Sequence, residues 1–362
     1  MTALFKRYVT FTEEDHAFVC ALWCAQTWFF HTQGMHGAEY APYLAFASPI
    51  SNCGKTAALT VTAALSYGSP PVSVMPNPAP LFRRIQEHHH TIVLDELDLL
   101  REDSELITIL NSGYKKGATV ERMTGRDRDQ VSKFETFCPK ALGYIRDSKS
   151  LKAIRGTLES RCIRILLKRR TLDEQSLSPQ LRLKTLEKEC GPILARLMNW
   201  VLGLDKNLLN RETSRVPDIV RTAGMFGREE EVWENLLAVA HLAGRLREAQ
   251  KAAMDLIWAN REEAEDHNTD SPLLRDLQRN MNDMCDEEGF SLELAIKFLN
   301  QMEDRTYRRW TDGNGITVQA LRRILAKYGL RTRQMGSRRL RRIKRKGMED
   351  VLARHLPLTD EE

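Results

Sequence analysis

SPISNCGKT, residues 48 to 56, carries residue types that bind phosphate. The general phosphate-binding loop reads G-x-x-x-x-G-K-[ST]; Gly54, Lys55 and Thr56 supply its end, while Pro49 stands where its first glycine belongs. At a helix start, such a loop directs unpaired backbone N–H groups and the positive end of the helix dipole at an anion. Ser51, Asn52, Cys53 and Gly54 would form the cradle, Lys55 would reach the terminal phosphates, and the Thr56 hydroxyl would bind Mg²⁺. Asn52 is the non-glycine type that best tolerates a positive φ. Pro49 gives up one N–H and holds φ near about −65°, which suits a turn. A bare GKT on a helix is common, so the surrounding elements decide its meaning.

TIVLDELD, residues 91 to 98, is the second half of the chemistry. Its apolar residues read as a buried strand whose end projects Asp95 toward the water shell of Mg²⁺, with Glu96 placed to polarise an attacking water. Taken alone, the acid pair reads first as a helix cap. Following a GKT by some forty residues, it completes the order strand, GKT, helix, strand, acids of nucleotide hydrolysis. PKALGYI (139 to 145) is a further strand, RDSKSLKAIRGTLE a helix, and SRCIRILLKRR a strand that begins with Arg161. In ring-forming ATPases an arginine so placed reaches the γ-phosphate held by the neighbouring subunit, an effect of about 10³ or more in rate. The alternative for Arg161 is a cap on the preceding helix.

These residues need a frame. Residues 13 to 30 are apolar nearly all round and predict a buried helix; YLAFA (43 to 47) predicts the strand that leads into the loop, and TAALTVTAALS the helix after Lys55. VSVM (72 to 75) is a candidate strand and LFRRIQE (81 to 87) a helix. The 362 residues, 42% apolar, suffice for two or three packed units. No apolar run is long enough to cross a membrane, and the first residues lack signal-peptide features, so a cytoplasmic protein is expected. Seven scattered cysteines predict free thiols. His88 to His90 splay around a strand start and predict no metal site. EEAEDHNTD, residues 262 to 270, reads as an acidic linker, whereas residues 321 to 346 hold 12 Arg or Lys and no acid.

YLAFASPISNCGKT, TIVLDELD, ILNSGYKKGATVERM, FCPKALGYI, SRCIRILLKRR and WENLLAVAHLAG, in that order, resemble an uncharacterised family of P-loop ATPases carried by phages, plasmids and prophages, often associated with primases. That family also replaces the first glycine of its loop. The resemblance spans roughly residues 13 to 356. It implies an α/β fold: an AAA+-type P-loop core, with a parallel sheet flanked by helices, a helical lid and a basic C-terminal winged-helix-like module. It also implies ATP and Mg²⁺ as cofactors and a helicase role in mobile-element replication. Arg228, ahead of Trp233, resembles a second sensor of the γ-phosphate, with a solvated helix-start arginine as the alternative. The lid helix, residues 228 to 258, would pack through Val232, Leu236, Val239 and Leu242. The first sensor has no firm position, and Arg146 is its one candidate.

Two regions are candidates for contact with single-stranded or forked DNA. ATVERMT and VSKFETF alternate like a hairpin, with Lys115, Lys116, Arg122, Arg126 and Arg128 around them and Glu121, Asp127 and Asp129 as the balancing charges of a merely solvated hairpin. In the C-terminal module, ITVQALRRILAKYGL is a helix with Leu321, Ile324 and Leu325 inward, followed by a turn and by Arg338, Arg339, Arg341, Arg342, Lys344, Arg345 and Lys346. Phosphate attraction of this kind is independent of sequence. The expected organisation is a core over 1–170, a lid over 171–268 and a DNA-binding module over 269–362. The expected assembly is a homo-oligomeric ring, a hexamer among the forms open to it, with a primase as a possible partner and no membrane. A loader or switch that binds DNA and recruits a primase, transposition or defence partner without unwinding, and a regulator that binds nucleotide without hydrolysis, stand as the other readings.

Overall fold

The computed structural model describes residues 1–32, 39–74, 78–88, 90–99, 105–124, 130–145, 155–204, 220–221, 223–267, 271–286, 289–302, 315–335 and 340–355. It divides into two units, Met1–Ala259 and Asn260–Glu362.

The first unit is built on strands that are apolar on both faces, the pattern of a parallel sheet covered on both sides. β1 (Tyr43–Ser48) is buried at every residue, as is β3 (Ile92–Asp95). With β2 (Ser73–Val74), β6 (Lys140–Ile145) and β7 (Cys162–Leu166) they form one parallel sheet in the order β2-β3-β6-β1-β7. Between β3 and β6 the chain makes an antiparallel hairpin, β4 (Thr119–Thr124) and β5 (Gln130–Glu135). α1 (Thr2–Tyr8), α2 (His16–Thr32) and α3 (Lys55–Leu65) pack on one another, and α3 lies against β1, β3 and β6. α2 is the expected buried helix. Its Trp23 and Trp28 donate to the carbonyls of Pro42 at 2.8 Å and Leu65 at 3.0 Å, so neither indole N–H is left unpaired. Burial pushes the Cys24 thiol up to about 12, and all seven cysteines are free.

α4 (Pro78–His88), α5 (Glu105–Ser112), α6 (Arg155–Glu159) and α7 (Leu172–Leu177) join these strands to the long helices α8 (Leu183–Gly203), α9 (Arg228–Leu242) and α10 (Leu246–His267). The region expected to be a separate lid shares the core of the sheet. α8 packs on α2 and α3, with Trp200 edge-on to Phe29 at 5.3 Å, and α9 packs on α2, with Asn235 donating to the Tyr40 carbonyl. The single helix expected over 228–258 is two. Gly244, at φ 70, turns the chain between them, a conformation that costs glycine little. The acidic stretch expected as a linker is helical through His267, and the unit boundary falls inside α10.

The second unit opens with α11 (Ser271–Arg279). A short antiparallel pair, β8 (Cys285–Asp286) and β9 (Gly289–Phe290), precedes α12 (Leu292–Gln301) and α13 (Val318–Lys327); β10 (Arg333–Met335) and β11 (Leu340–Arg342) then form a hairpin ahead of α14 (Arg345–His355). Phe290 and Ile343 exchange backbone hydrogen bonds at 2.9 and 3.1 Å, which ties β9 to the end of that hairpin. Leu273, Leu277, Leu299, Leu321, Leu325 and Met348 fill the core. The inward residues expected on α13 are therefore inward.

Candidate active site

β1 ends at Ser48, the loop crosses residues 49 to 54, and α3 begins at Lys55. Asn52 has φ 62 and Gly54 φ 86, so the two residue types that best accept the left-handed region stand where the cradle needs it. Residues 49 to 52 are exposed, and Cys53 is buried beneath them. Lys55 Nζ donates to Ser48 Oγ at 2.8 Å, and Ser48 Oγ donates to the Ile50 carbonyl at 2.7 Å. The ammonium is thus held over the loop by the last residue of the strand.

Thr56 Oγ1 donates to Asp95 Oδ2 at 2.7 Å, across a separation of 39 residues. Asp95 is 4% exposed, and its other oxygen accepts the Glu96 N–H at 2.8 Å. Glu96 is exposed and has φ 57, a position costing about 1 kcal/mol or more for a non-glycine residue and typical of functional turns. The loop and the acids read from sequence therefore come together.

Three supporting residues were missed. Ser48 orients Lys55, and a serine closing an apolar run was its only sign. Gly143, in the middle of β6, lies against Asp95: a Cβ there would be 2.8 Å from Asp95 Oδ1 and 2.7 Å from Leu59 Cδ1. A lone glycine inside a buried strand signals such a close approach. Asp98 contributes as well, accepting the Ile145 N–H at 3.1 Å and so fixing the end of β6 beside the turn that follows Glu96.

The arginines lie elsewhere. Arg161 immediately precedes β7 and sits at the opposite end of the sheet, because its carbonyl accepts from Tyr43, the first residue of β1. At about 3.3 Å per residue, the length of β1 puts roughly 17 Å between that end and the loop. The Arg161 guanidinium bonds the Thr157 carbonyl of α6 and stands 5.9 Å from the Tyr114 ring. Arg228, the residue resembling a γ-phosphate sensor, is not brought to the loop of its own chain. It pairs with Glu231 and lies 5.2 Å from the same Tyr114 ring. The two arginines flank one tyrosine.

The cations expected on DNA also divide. Lys115 and Lys116 are exposed, Lys115 lying 5.9 Å from the Tyr40 ring. Arg122 shares the inner face of the hairpin with Val120 and Phe134, stacks 4.9 Å from Phe82 and pairs with Glu105 at 2.7 Å. Arg342 is 8% exposed and held by Asp286 at 2.8 Å and Glu293 at 3.1 Å. Arg345 is occupied by Glu349 and Asn282. Lys344 and Lys346 are exposed, and Arg341 lies in β11. Arg126, Arg128, Arg146, Arg338 and Arg339 lie outside the described residues.

Among the described residues no helix is long and apolar enough to cross a membrane. No curated protein matches the chain. Eight solved chains match it. One, titled "SCCmec type IV Cch - active helicase", is 13% identical with a TM-score of 0.43; the match covers 83% of this chain and 66% of that one. The profile described as "Protein of unknown function (DUF3631)" matches residues 166–355, which follow the loop, the acids and Arg161 and include Arg228 and the basic cluster. That stretch is more than half of the sequence, and the chain belongs to the DUF3631 family.

Proposed function

We propose that the chain hydrolyses ATP at the loop and applies the energy to DNA as a ring-forming motor of AAA+ type, its leading form being the replicative helicase of a mobile genetic element. The observation that carries the hydrolysis reading is the Thr56 hydroxyl 2.7 Å from the Asp95 carboxylate, beside the strained Glu96. One hydroxyl and one carboxylate suit Mg²⁺, which keeps several waters and takes its remaining ligands from phosphates. When bound, the ion would neutralise charge on the phosphates. Asp95 is prepared to hold it, since the Glu96 N–H fixes one carboxylate oxygen and leaves the other with Thr56. The N–H groups of the Asn52–Thr56 turn would bind the phosphates, and Lys55 would exchange its Ser48 contact for them. Glu96, exposed at the end of β3, would orient the attacking water and take its proton.

The strand order supports the AAA+ reading, with β6 inserted between the loop-bearing β1 and the acid-bearing β3. Arg161, a strand's length from its own loop, fits a role at the loop of an adjacent copy. A loader or switch shares all these features, and only strand separation on a forked duplex distinguishes a helicase from it. The test of the site is a pair of variants. Lys55→Ala should abolish phosphate release and weaken ATP binding, whereas Glu96→Gln should retain binding and stop hydrolysis. Equal loss of binding in both would refute the assignment.

A further inference from the structure

The basic cluster of the second unit contains two kinds of arginine. Arg342 and Arg345 are neutralised within the unit, as described. Arg322, Arg323, Arg331 and Arg333 are exposed and make no ion pair among the described residues. Arg322 and Arg323 belong to α13, whose buried side carries Leu321, Ile324 and Leu325. At 3.6 residues per turn, Gln319, Arg322, Arg323 and Ala326 fall together on the other side, and all four are exposed. The face holds no acid, and Ala326 at its centre leaves the helix backbone open to close approach. The helix is also firmly seated. Thr317 caps it by accepting from the Ala320 N–H at 3.2 Å, and Asn300 bonds both the N–H and the carbonyl of Ile316 just before it. Arg331 follows on the segment that leads into β10, and Arg333 is the first residue of β10.

We propose that this face of α13 is a duplex DNA-binding surface, with Gln319, Arg322 and Arg323 facing the major groove and Arg331 and Arg333 on the flanking phosphates. The inference rests on the reading of the chain as one that acts on DNA, and it names the form of DNA this unit holds. An exposed helix of about 10–12 Å in diameter fits the major groove, about 12 Å wide in B-DNA. Gln and Arg are side chains that pair bidentately with adenine and guanine edges there. The exposed side chains of this face are Gln319, Arg322, Arg323 and Ala326, a set unlike the aromatic platforms that grip single strands. The ATPase unit would thereby be tethered to the duplex side of a fork or origin.

Fluorescence anisotropy on the full chain, with a labelled duplex and the corresponding single strand, tests the proposal. Replacing both residues, Arg322→Ala with Arg323→Ala, should weaken duplex binding at least about tenfold at low salt, because two cations that contact the duplex are removed. Single-strand binding should change less than about twofold, and hydrolysis without DNA should be unaffected. Arg322→Gln with Arg323→Gln keeps stems of similar character and carries the same expectations, should the alanine pair unfold the unit. Unchanged duplex affinity, or an equal loss on both forms of DNA, would overturn the proposal. Either result would leave the nucleotide site standing, because that site is judged separately by Lys55→Ala and Glu96→Gln.

Discussion

The two ends of the central sheet are built to opposite rules. At the C-terminal end of β1, polar groups converge and remain open: Lys55 on Ser48, Thr56 on Asp95, and Glu96 exposed beside them. At the N-terminal end, Tyr43, Tyr114 and Tyr40 pack as an aromatic cluster, and Arg161 and Arg228 lie against Tyr114. Among the described residues, the first end carries a lysine, a hydroxyl and carboxylates without an arginine, and the second carries Arg161 and Arg228. The separation is maintained by β1 itself, whose rigidity keeps a strand's length between them. Under the proposed function, such a chain would complete its chemistry where one copy's arginine end meets another copy's loop end.

The largest expected effect separates the ends directly. Lys55→Ala should reduce ATP turnover by about 10³ or more, as should Arg161→Ala if its guanidinium stabilises the transferring phosphoryl group. Neither should unfold the chain, which a thermal melt would verify. Mixing the two inactive proteins should then restore part of the activity, because mixed rings contain interfaces in which an intact loop faces an intact arginine. Inactive mixtures under conditions where oligomers form would break the comparison. Arg228 sharpens it. Its position beside Arg161 predicts that Arg228→Ala is complemented by Lys55→Ala in the same way, whereas a sensor acting on its own chain's loop would not be rescued.

Gly143 tests the loop end by itself. A methyl group at this position meets Asp95 Oδ1 and Leu59 Cδ1 well inside contact distance, so Gly143→Ala must push the carboxylate away from Thr56. Overpacking of this kind costs about 1–3 kcal/mol, expected as a Tm lower by several degrees. Turnover measured against Mg²⁺ concentration should require more of the ion. A variant that melts early with unchanged Mg²⁺ dependence would show that Gly143 serves packing alone.

The loop end was legible because its signals are local. A glycine and an asparagine at left-handed positions, a lysine and threonine opening a helix, and acids closing an apolar strand are each visible within a few residues. The arginine end was not, because Arg228 reaches Tyr114 only through the packing of α9 on α2, a tertiary contact with no short-range trace. The pairing of Arg122 was not legible for a related reason. Strand alternation puts it on one face with Val120 and Phe134, but Met123 and Val131 make the outer face equally apolar in sequence, although both are exposed. Arg342 sits in a run without acids, yet its partners Asp286 and Glu293 lie 56 and 49 residues earlier. Lys140 stands at the start of β6. It is fully buried, with its ammonium on the carbonyls of Gly113, Thr136 and Cys138, where it ties the base of the hairpin to the end of α5.

The smallest effect probes the charge balance at the arginine end. On α9, burial and then the neighbouring carboxylates Glu230, Glu39 and Glu231 push Glu234 up from 4.5 to about 6. Arg221 pairs with Glu230 and Arg228 with Glu231, so these cations already have partners while Glu234 bears the repulsion. A carboxyl with a raised folded-state value binds its proton more tightly folded than unfolded. Stability therefore falls as pH rises from 4.5 through about 6 and is flat above. Glu234→Gln removes that penalty. Its Tm should exceed that of the parent by about 2 °C above neutral pH, and the difference should vanish as pH falls below 4.5. A constant difference at all pH values would mean that the substitution acts through packing, and that the acids around Arg228 do not repel one another at the arginine end.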